Sequence, residues 1–301
     1  MSGRELVLAT RRSALALAQA RAWAQGLLAR RPGLSVRELH VVTTGDRITD
    51  RPLQAIGGKG LFLKEIEEAL VERRADFAVH SIKDVPAELA QGLRLAAVPA
   101  REDPRDVLVS REGRPFRDLP QGALVGTSSL RRVALLRRER PDLRFAPLRG
   151  NVDTRLRKVA EGECDAIVLA YAGLRRLGLG DRATEVLAPE LSLPAVGQGA
   201  LGIECREGDE QTAEDLASTH DPETSLAVSA ERGVMVAVGG SCQVPVAAYA
   251  RREGAQMHLR AMLADAEGND PRFAEERFAW PADDDEARAR GEALGRTLVR
   301  H

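Results

Sequence analysis

The 301-residue chain holds three cysteines, and Cys242 stands in VGGSCQVP, residues 238–245, where neither a helix nor a central strand fits. Gly239 and Gly240 open backbone conformations closed to other residues, and Pro245 restricts the backbone on either side of it. Such a loop can present a thiol to a cleft, although on this segment alone an inert thiol is the simpler reading. Cys164 in GECDAIVLA and Cys205 in LGIECR abut apolar runs and are expected in the core.

A second chemical signal is HSIKDVP, residues 80–86, which sets Lys83 and Asp84 directly after an apolar run. A carboxylate there can stabilise a developing cation or move a proton, and the adjacent ammonium favours its ionised form. The plain alternative is a turn held by an aspartate beside an exposed lysine.

Arginine supplies the third signal. Arg11 and Arg12, Arg131 and Arg132, Arg149, Arg155, and Arg175 with Arg176 fall at turns that come after apolar runs. Only four of the 44 basic residues are lysines (Lys59, Lys64, Lys83 and Lys158), so any single arginine reads as a solvated surface charge. Their return at one topological position says more. A polyanionic ligand needs several fixed guanidinium forks, each charge-assisted bond contributing about 1.5–3 kcal/mol.

Other chemistries find no support. The cysteines are odd in number and widely spaced, which fits neither a disulfide framework nor a zinc site and points to a reducing compartment. The five histidines show no HExxH and no pair at ligand spacing, so no metal is expected. IGGKGLFLKEIEEAL lacks the spacing of a phosphate-binding loop, and with the polar TTGDRITDRPLQAI before it reads as a lid over a cleft.

The elements that must position these residues obey one grammar: a short apolar run, a polar or basic turn, then a helical pattern. ELVLAT leads into RRSALALAQARAWAQGLLARR, DFAVHS into IKDVPAEL, ALVGT into SSLRRVALLRRERP, RFAPLRG into NVDTRLRKVAEG, and DAIVLA into YAGLRRLGL. Strands alternating with helices predict parallel sheets in an α/β fold. Ser13, Ser128 and Asn151 or Asp153 are the expected N-caps. Helix N-termini then face the carboxyl edge of each sheet, where ligands bind in open α/β folds and where amides and dipole favour anions.

The pattern restarts near REDPRDVLVS, and LSLPAVGQGALGIECR reads as a return crossing. The expected domains are a first lobe of 1–99 with 200–217, a second lobe of 100–199, and a C-terminal α+β domain of 218–301. A chain of this length exceeds what one core usually supports. The formal net charge of −1 argues against nucleic acid as partner. SALALAQA is too short in its apolar run for a signal peptide, and no run nears a membrane span, so a cytoplasmic protein is expected.

VLATRRSALALAQA, GGKGLF, HSIKDVP, VGTSSLRR, LRGNVDTRL, AGLRRLGL, LPAVGQGALGIECR and GGSCQVP together resemble the porphobilinogen deaminase family. The resemblance covers nearly all of the first 250 residues. It implies two doubly wound lobes similar to type 2 periplasmic binding proteins, a small C-terminal domain, and a monomer. It implies a cytoplasmic transferase of tetrapyrrole biosynthesis that joins four porphobilinogens head to tail, with loss of ammonia, and releases hydroxymethylbilane by hydrolysis. It also implies a dipyrromethane cofactor on a cysteine thioether, here Cys242, held in the cleft between the first two domains.

By the same resemblance Asp84 is the catalytic carboxylate. Lys83, Thr127, Ser128, Arg131, Arg132 and Arg155 hold cofactor carboxylates. Arg11, Ser13, Arg149 and Arg176 act nearer the substrate or growing chain, with Gln19 and Gln198 as further candidates, and Lys59 belongs to the lid. The chain departs from the family where many members have lysine and it has Ala55, and where Ser241 replaces the usual glycine before the cysteine. The last 50 residues match only loosely. From the arginine turns alone, a non-catalytic binding protein for a small polycarboxylate is the alternative, and a nucleotide-binding enzyme a more distant one.

Overall fold

A computed structural model describes residues 3–47, 63–239 and 244–299. Lys59, Ala55, Ser241 and Cys242 therefore lie outside the described residues. The chain divides into two compact units, residues 1–101 with 200–225, and residues 102–199 with 226–301.

The first unit is built on a five-stranded sheet of order β2-β1-β3-β10-β4. Its strands are β1 (Arg4–Arg11), β2 (Leu34–Val41), β3 (Phe77–Ser81), β4 (Leu93–Ala97) and β10 (Leu201–Arg206). The 3.6-residue period and seven alanines of α1 (Ala14–Arg30) make it a strong helix, and it buries Gln19, Ala20, Trp23, Ala24 and Leu27. Alternation along the strands sends Leu6, Leu8, Phe77 and Ile203 to the face that α1 covers, together with Ala213 and Leu216 of α6 (Glu210–Ala217). Ala9 and Ala78 point the other way, onto Ile66, Ala69 and Leu70 of α2 (Lys64–Val71).

The second unit repeats the plan with the order β7-β6-β8-β5-β9. The strands are β5 (Asp106–Ser110), β6 (Leu124–Gly126), β7 (Arg144–Ala146), β8 (Ala166–Ala170) and β9 (Glu185–Val186). Helices α3 (Leu130–Glu139), α4 (Val152–Ala160) and α5 (Tyr171–Arg176) come after β6, β7 and β8 in turn. Leu136 of α3 packs on one face of the sheet with Leu108, Val125 and Val168, and Leu156 and Val159 of α4 pack on the other with Val107 and Ile167.

The rest of the second unit is an antiparallel meander of β11 (Val246–Glu253), β12 (Gln256–Leu263) and β13 (Arg272–Ala279), with α7 (Pro222–Ala237) and α8 (Asp284–Val299). Small residues let these two helices approach closely. A Cβ at Gly291 would run into the Ala230 carbonyl, and one at Gly233 into the Arg288 carbonyl. Ala247 and Met262 pack against Ala134 and Leu135 of α3, joining the meander to the second lobe.

The α/β expectation holds, with three corrections. The sheets are mixed: β1, β2 and β3 run parallel, and so do β6, β7 and β8, but β10 and β5 enter antiparallel. Both arrive by crossings that lack the helix a parallel return needs. IKDVPAEL forms only a 3₁₀ turn over Ile82–Asp84, because Pro86 blocks helix propagation. Ser129, not Ser128, caps α3, since its hydroxyl accepts from the Arg132 amide; Asn151 occupies the N-cap of α4 but makes no side-chain cap bond. Ser13 caps α1 as expected, accepting from the Ala16 amide at 3.3 Å.

Candidate active site

In the first unit the parallel run of β1 and β3 brings their carboxyl ends to one edge of the sheet. Arg11 ends β1 and Ser13 opens α1 immediately after it. β3 runs into the 3₁₀ turn that carries Lys83 and Asp84. That turn is fixed at both ends, as the Ile82 amide donates to the Ala200 carbonyl at 3.1 Å and the Val85 amide to the Ile82 carbonyl at 3.0 Å. Ile82 and Val85 are buried, whereas Asp84 is exposed and its carboxylate makes no hydrogen bond or ion pair with any described residue. The backbone of the turn is thus anchored, and the carboxylate it carries is open to a ligand.

Arg11 is engaged within this unit. Its Nε reaches both oxygens of Asp46, at 3.2 and 3.1 Å. Burial would push the Asp46 carboxyl up, but the Arg11 guanidinium and the Thr43 hydroxyl and amide bring it below its ordinary value. Gln19 is buried on α1, further from the edge.

In the second unit the carboxyl ends of β6, β7 and β8 share one edge, and the remaining residues gather there. Thr127 and Ser128 come after β6, Arg149 after β7, Arg155 lies on α4, and Arg176 closes α5. Thr127 is buried, with its hydroxyl accepting from the Ser129 amide at 3.2 Å, and Ser128 donates to the Leu148 carbonyl at 2.8 Å.

Arg131 and Arg132, in the first turn of α3, are only 5% and 7% exposed. Both grip Asp106, the first residue of β5. Arg131 Nη1 lies 2.9 Å from Oδ2, and Arg132 places Nε and Nη2 at 3.1 and 2.7 Å from Oδ1. The Ser192 hydroxyl and the Gln198 amide also donate to Asp106, at 2.7 and 2.9 Å. Burial alone would drive this carboxyl up; the two guanidiniums reverse that and hold it far below the usual carboxylate range. Burial likewise lowers Arg131, with Asp106 opposing it.

The electrostatics change at α4. The Arg155 guanidinium is pushed down to about 10, first by burial and then by the like charges of Arg132 and Arg149. Its Nε donates to the Gly150 carbonyl at 2.8 Å. Gly150 has φ of 113°, a conformation that suits glycine, and the crowding of Thr154 against its missing Cβ keeps a side chain out. Arg176 is also lowered by burial, and its Nη2 donates to the Gly199 carbonyl at 2.7 Å.

The structure therefore brings Arg11, Ser13, Lys83 and Asp84 to one edge of the first sheet, and Thr127, Ser128, Arg131, Arg132, Arg149 and Arg155 to one edge of the second. Lys59 and Cys242 fall outside the described residues. Sequence reasoning missed Asp106 and Asp46. Asp106 had a signal, a charged residue opening DVLVS, a strand whose every position is buried. Cys164 and Cys205 are buried as expected, and burial pushes both thiols up, which leaves them protonated and unreactive. Among the described residues no His, Cys, Asp and Glu cluster is arranged to hold a metal ion, and no helix is long and apolar enough to cross a membrane.

Comparisons with known proteins give the family. The family model for the porphobilinogen deaminase dipyromethane cofactor binding domain matches residues 6–214, and that for the porphobilinogen deaminase C-terminal domain matches residues 225–300. Porphobilinogen deaminase of Sorangium cellulosum is 64% identical over 294 residues, 98% of each chain. That of Syntrophotalea carbinolica is 50% identical over 299 residues, 99% of this chain and 92% of its own. Among solved structures, the VFT2 domain of Bordetella pertussis BvgS covers 71% of this chain and 86% of its own at 18% identity and a TM-score of 0.42. The probable amino-acid ABC transporter extracellular-binding protein ytmK of Bacillus subtilis covers 71% of this chain and 89% of its own at 8% identity and a TM-score of 0.43. With both family models spanning almost the whole chain and relatives of this identity matching end to end, the chain belongs to the porphobilinogen deaminase family and carries that family's dipyrromethane cofactor binding domain.

Proposed function

We propose that the chain is a hydroxymethylbilane-forming transferase that condenses four porphobilinogens head to tail on a dipyrromethane bound through Cys242, with Asp84 as its catalytic carboxylate. The observation that carries this reading is the gathering of Thr127, Ser128, Arg131, Arg132, Arg149 and Arg155 at one edge of the second sheet. Every pyrrole of the substrate brings an acetate and a propionate, so fixed guanidinium forks match the ligand in sign.

The cofactor fits the residues present. Thr127, Ser128, Arg131, Arg132, Arg155 and Lys83 would hold its carboxylates, and when bound it supplies the pyrrole carbon to which new units are joined. Arg11, Ser13, Arg149 and Arg176 meet the carboxylates of incoming porphobilinogen, with Gln19 and Gln198 behind them. Asp84 accepts the pyrrole N–H. As porphobilinogen loses ammonia its ring gains positive charge, and a carboxylate carried on a turn anchored by Ile82 and Val85 stabilises that charge. The same carboxylate can take the proton released when the new carbon–carbon bond forms. Lys59 would act from the lid.

The working domains on this reading are 1–99 with 200–217, 100–199, and 218–301, and the protein acts as a cytoplasmic monomer. Incubating the purified protein with porphobilinogen and measuring ammonia and linear tetrapyrrole tests it. Both products are expected. Binding without ammonia release would leave instead a non-catalytic protein for small polycarboxylates.

A further inference from the structure

A buried polar pair lies just before the Asp84 turn. His80 and Glu204 are 5% and 0% exposed, and His80 Nε2 lies 2.8 Å from Glu204 Oε2. The other Glu204 oxygen is also buried, and no donor among the described residues reaches it. Glu67 of α2 is half-buried nearby, its carboxyl pushed up first by burial and then by Glu204. As a contribution to stability this is a poor arrangement: taking both groups out of water offsets much of their attraction, and one acceptor remains unmet. Departures of this kind from local stability rules concentrate at functional sites.

The register shows what the pair braces. β3 and β10 run antiparallel with His80 opposite Gly202 and Ala78 opposite Glu204, so His80 reaches diagonally to Glu204 along the face that α2 covers. The next position on that face belongs to Ile82, which opens the turn ending in Asp84. Ile82 fills the space that Gly202 leaves: a Cβ there would stand 2.6 Å from Ile82 Cδ1 and 3.0 Å from Leu95 Cδ2. The directional bond between His80 and Glu204 thus ties the two strands beside the plug that seats the catalytic turn. Apolar contacts in its place would let the strands slide by fractions of an ångström.

We infer that His80 and Glu204 are positioning residues, whose hydrogen bond sets the placement of Asp84 for turnover rather than the stability of the lobe. The inference rests on the reading of Asp84 as the catalytic carboxylate. Four variants separate the possibilities: His80→Leu, His80→Leu with Glu204→Met, His80→Gln, and Asp84→Asn, each loaded with cofactor, with melting temperature, kcat and KM for porphobilinogen measured.

His80→Leu alone strands Glu204 and should melt early. The double variant replaces the pair by apolar side chains and should regain the wild-type melting temperature, yet keep a kcat about tenfold lower with KM within twofold, as expected when only placement in the transition state is lost. His80→Gln, which retains a donor toward Glu204, should restore most of kcat. A double variant that recovers kcat together with stability would overturn the inference and reduce the pair to packing. An Asp84→Asn protein as active as wild type would instead remove the underlying reading of Asp84.

Discussion

At the scale of single residues the proposed chemistry divides between one exposed carboxylate and a set of guanidiniums. Asp84 is open to solvent on a turn whose two neighbours, Ile82 and Val85, are buried, so removing its carboxylate touches no packing. Asp84→Ala should leave the melting temperature within a degree or two and lower kcat by about 10²–10³-fold, the range for losing one preorganised electrostatic group; steady-state kinetics and calorimetry check both halves. Arg155→Leu removes a charge that burial and two like neighbours already penalise. It should therefore not destabilise the apoprotein, while slowing cofactor loading severalfold when loading is timed by intact mass. HSIKDVP singled out Asp84 as a candidate carboxylate with a plain turn as the alternative, and only the family resemblance gave it a catalytic role. The partners of Asp46 and Asp106 were not legible, because folding brings them together across the sequence, Arg11 to Asp46 across 35 residues and the Arg131–Arg132 pair to Asp106 across about 25.

At the scale of elements, the first turn of α3 and the start of β5 form one electrostatic unit. Asp106 is fully buried between Arg131 and Arg132, so Asp106→Asn leaves two buried cations without a counter-charge and should cost about 3–5 kcal/mol. The sign with pH is definite. Because its folded carboxyl lies below the ordinary 3.8, Asp106 contributes stability that is fully present above that value and lost as pH falls below it. Wild-type melting temperature should drop steeply below about pH 4, and the Asp106→Asn protein, already less stable at neutral pH, should show a shallower drop. Equal acid slopes for the two proteins would contradict this assignment. The helices after β6 and β7 were readable from apolar periodicity, and the short one after β8 from the same grammar. The antiparallel entry of β5 and β10 was not, since period-2 patterning is silent on strand direction. Nor was the loss of helix after β3, where Pro86 overrode a helical pattern.

At the scale of the whole molecule, an apoprotein that gathers several arginines at one sheet edge gains negative charge there when a polycarboxylate binds. Cofactor-loaded protein should therefore melt several degrees above the apoprotein, with the gap narrowing in high salt, as expected when binding to the folded state rests on charge. Two repeated α/β lobes and the separate C-terminal sheet were readable from the grammar of the sequence and its change near residue 218. The dense crossing of α7 and α8 was not, because Gly233, Gly291 and Gly295 look like helix weaknesses until a partner backbone fills the space they leave.

The most direct measurement is the intact mass of purified protein under denaturing conditions, with the added mass mapped to a peptide. Wild type should carry the mass of two porphobilinogen units less two ammonias on the peptide containing Cys242, and Cys242→Ser should carry none. A protein that acquires no such mass after incubation with porphobilinogen, or a Cys242→Ser protein that loads normally, would refute the proposed chemistry.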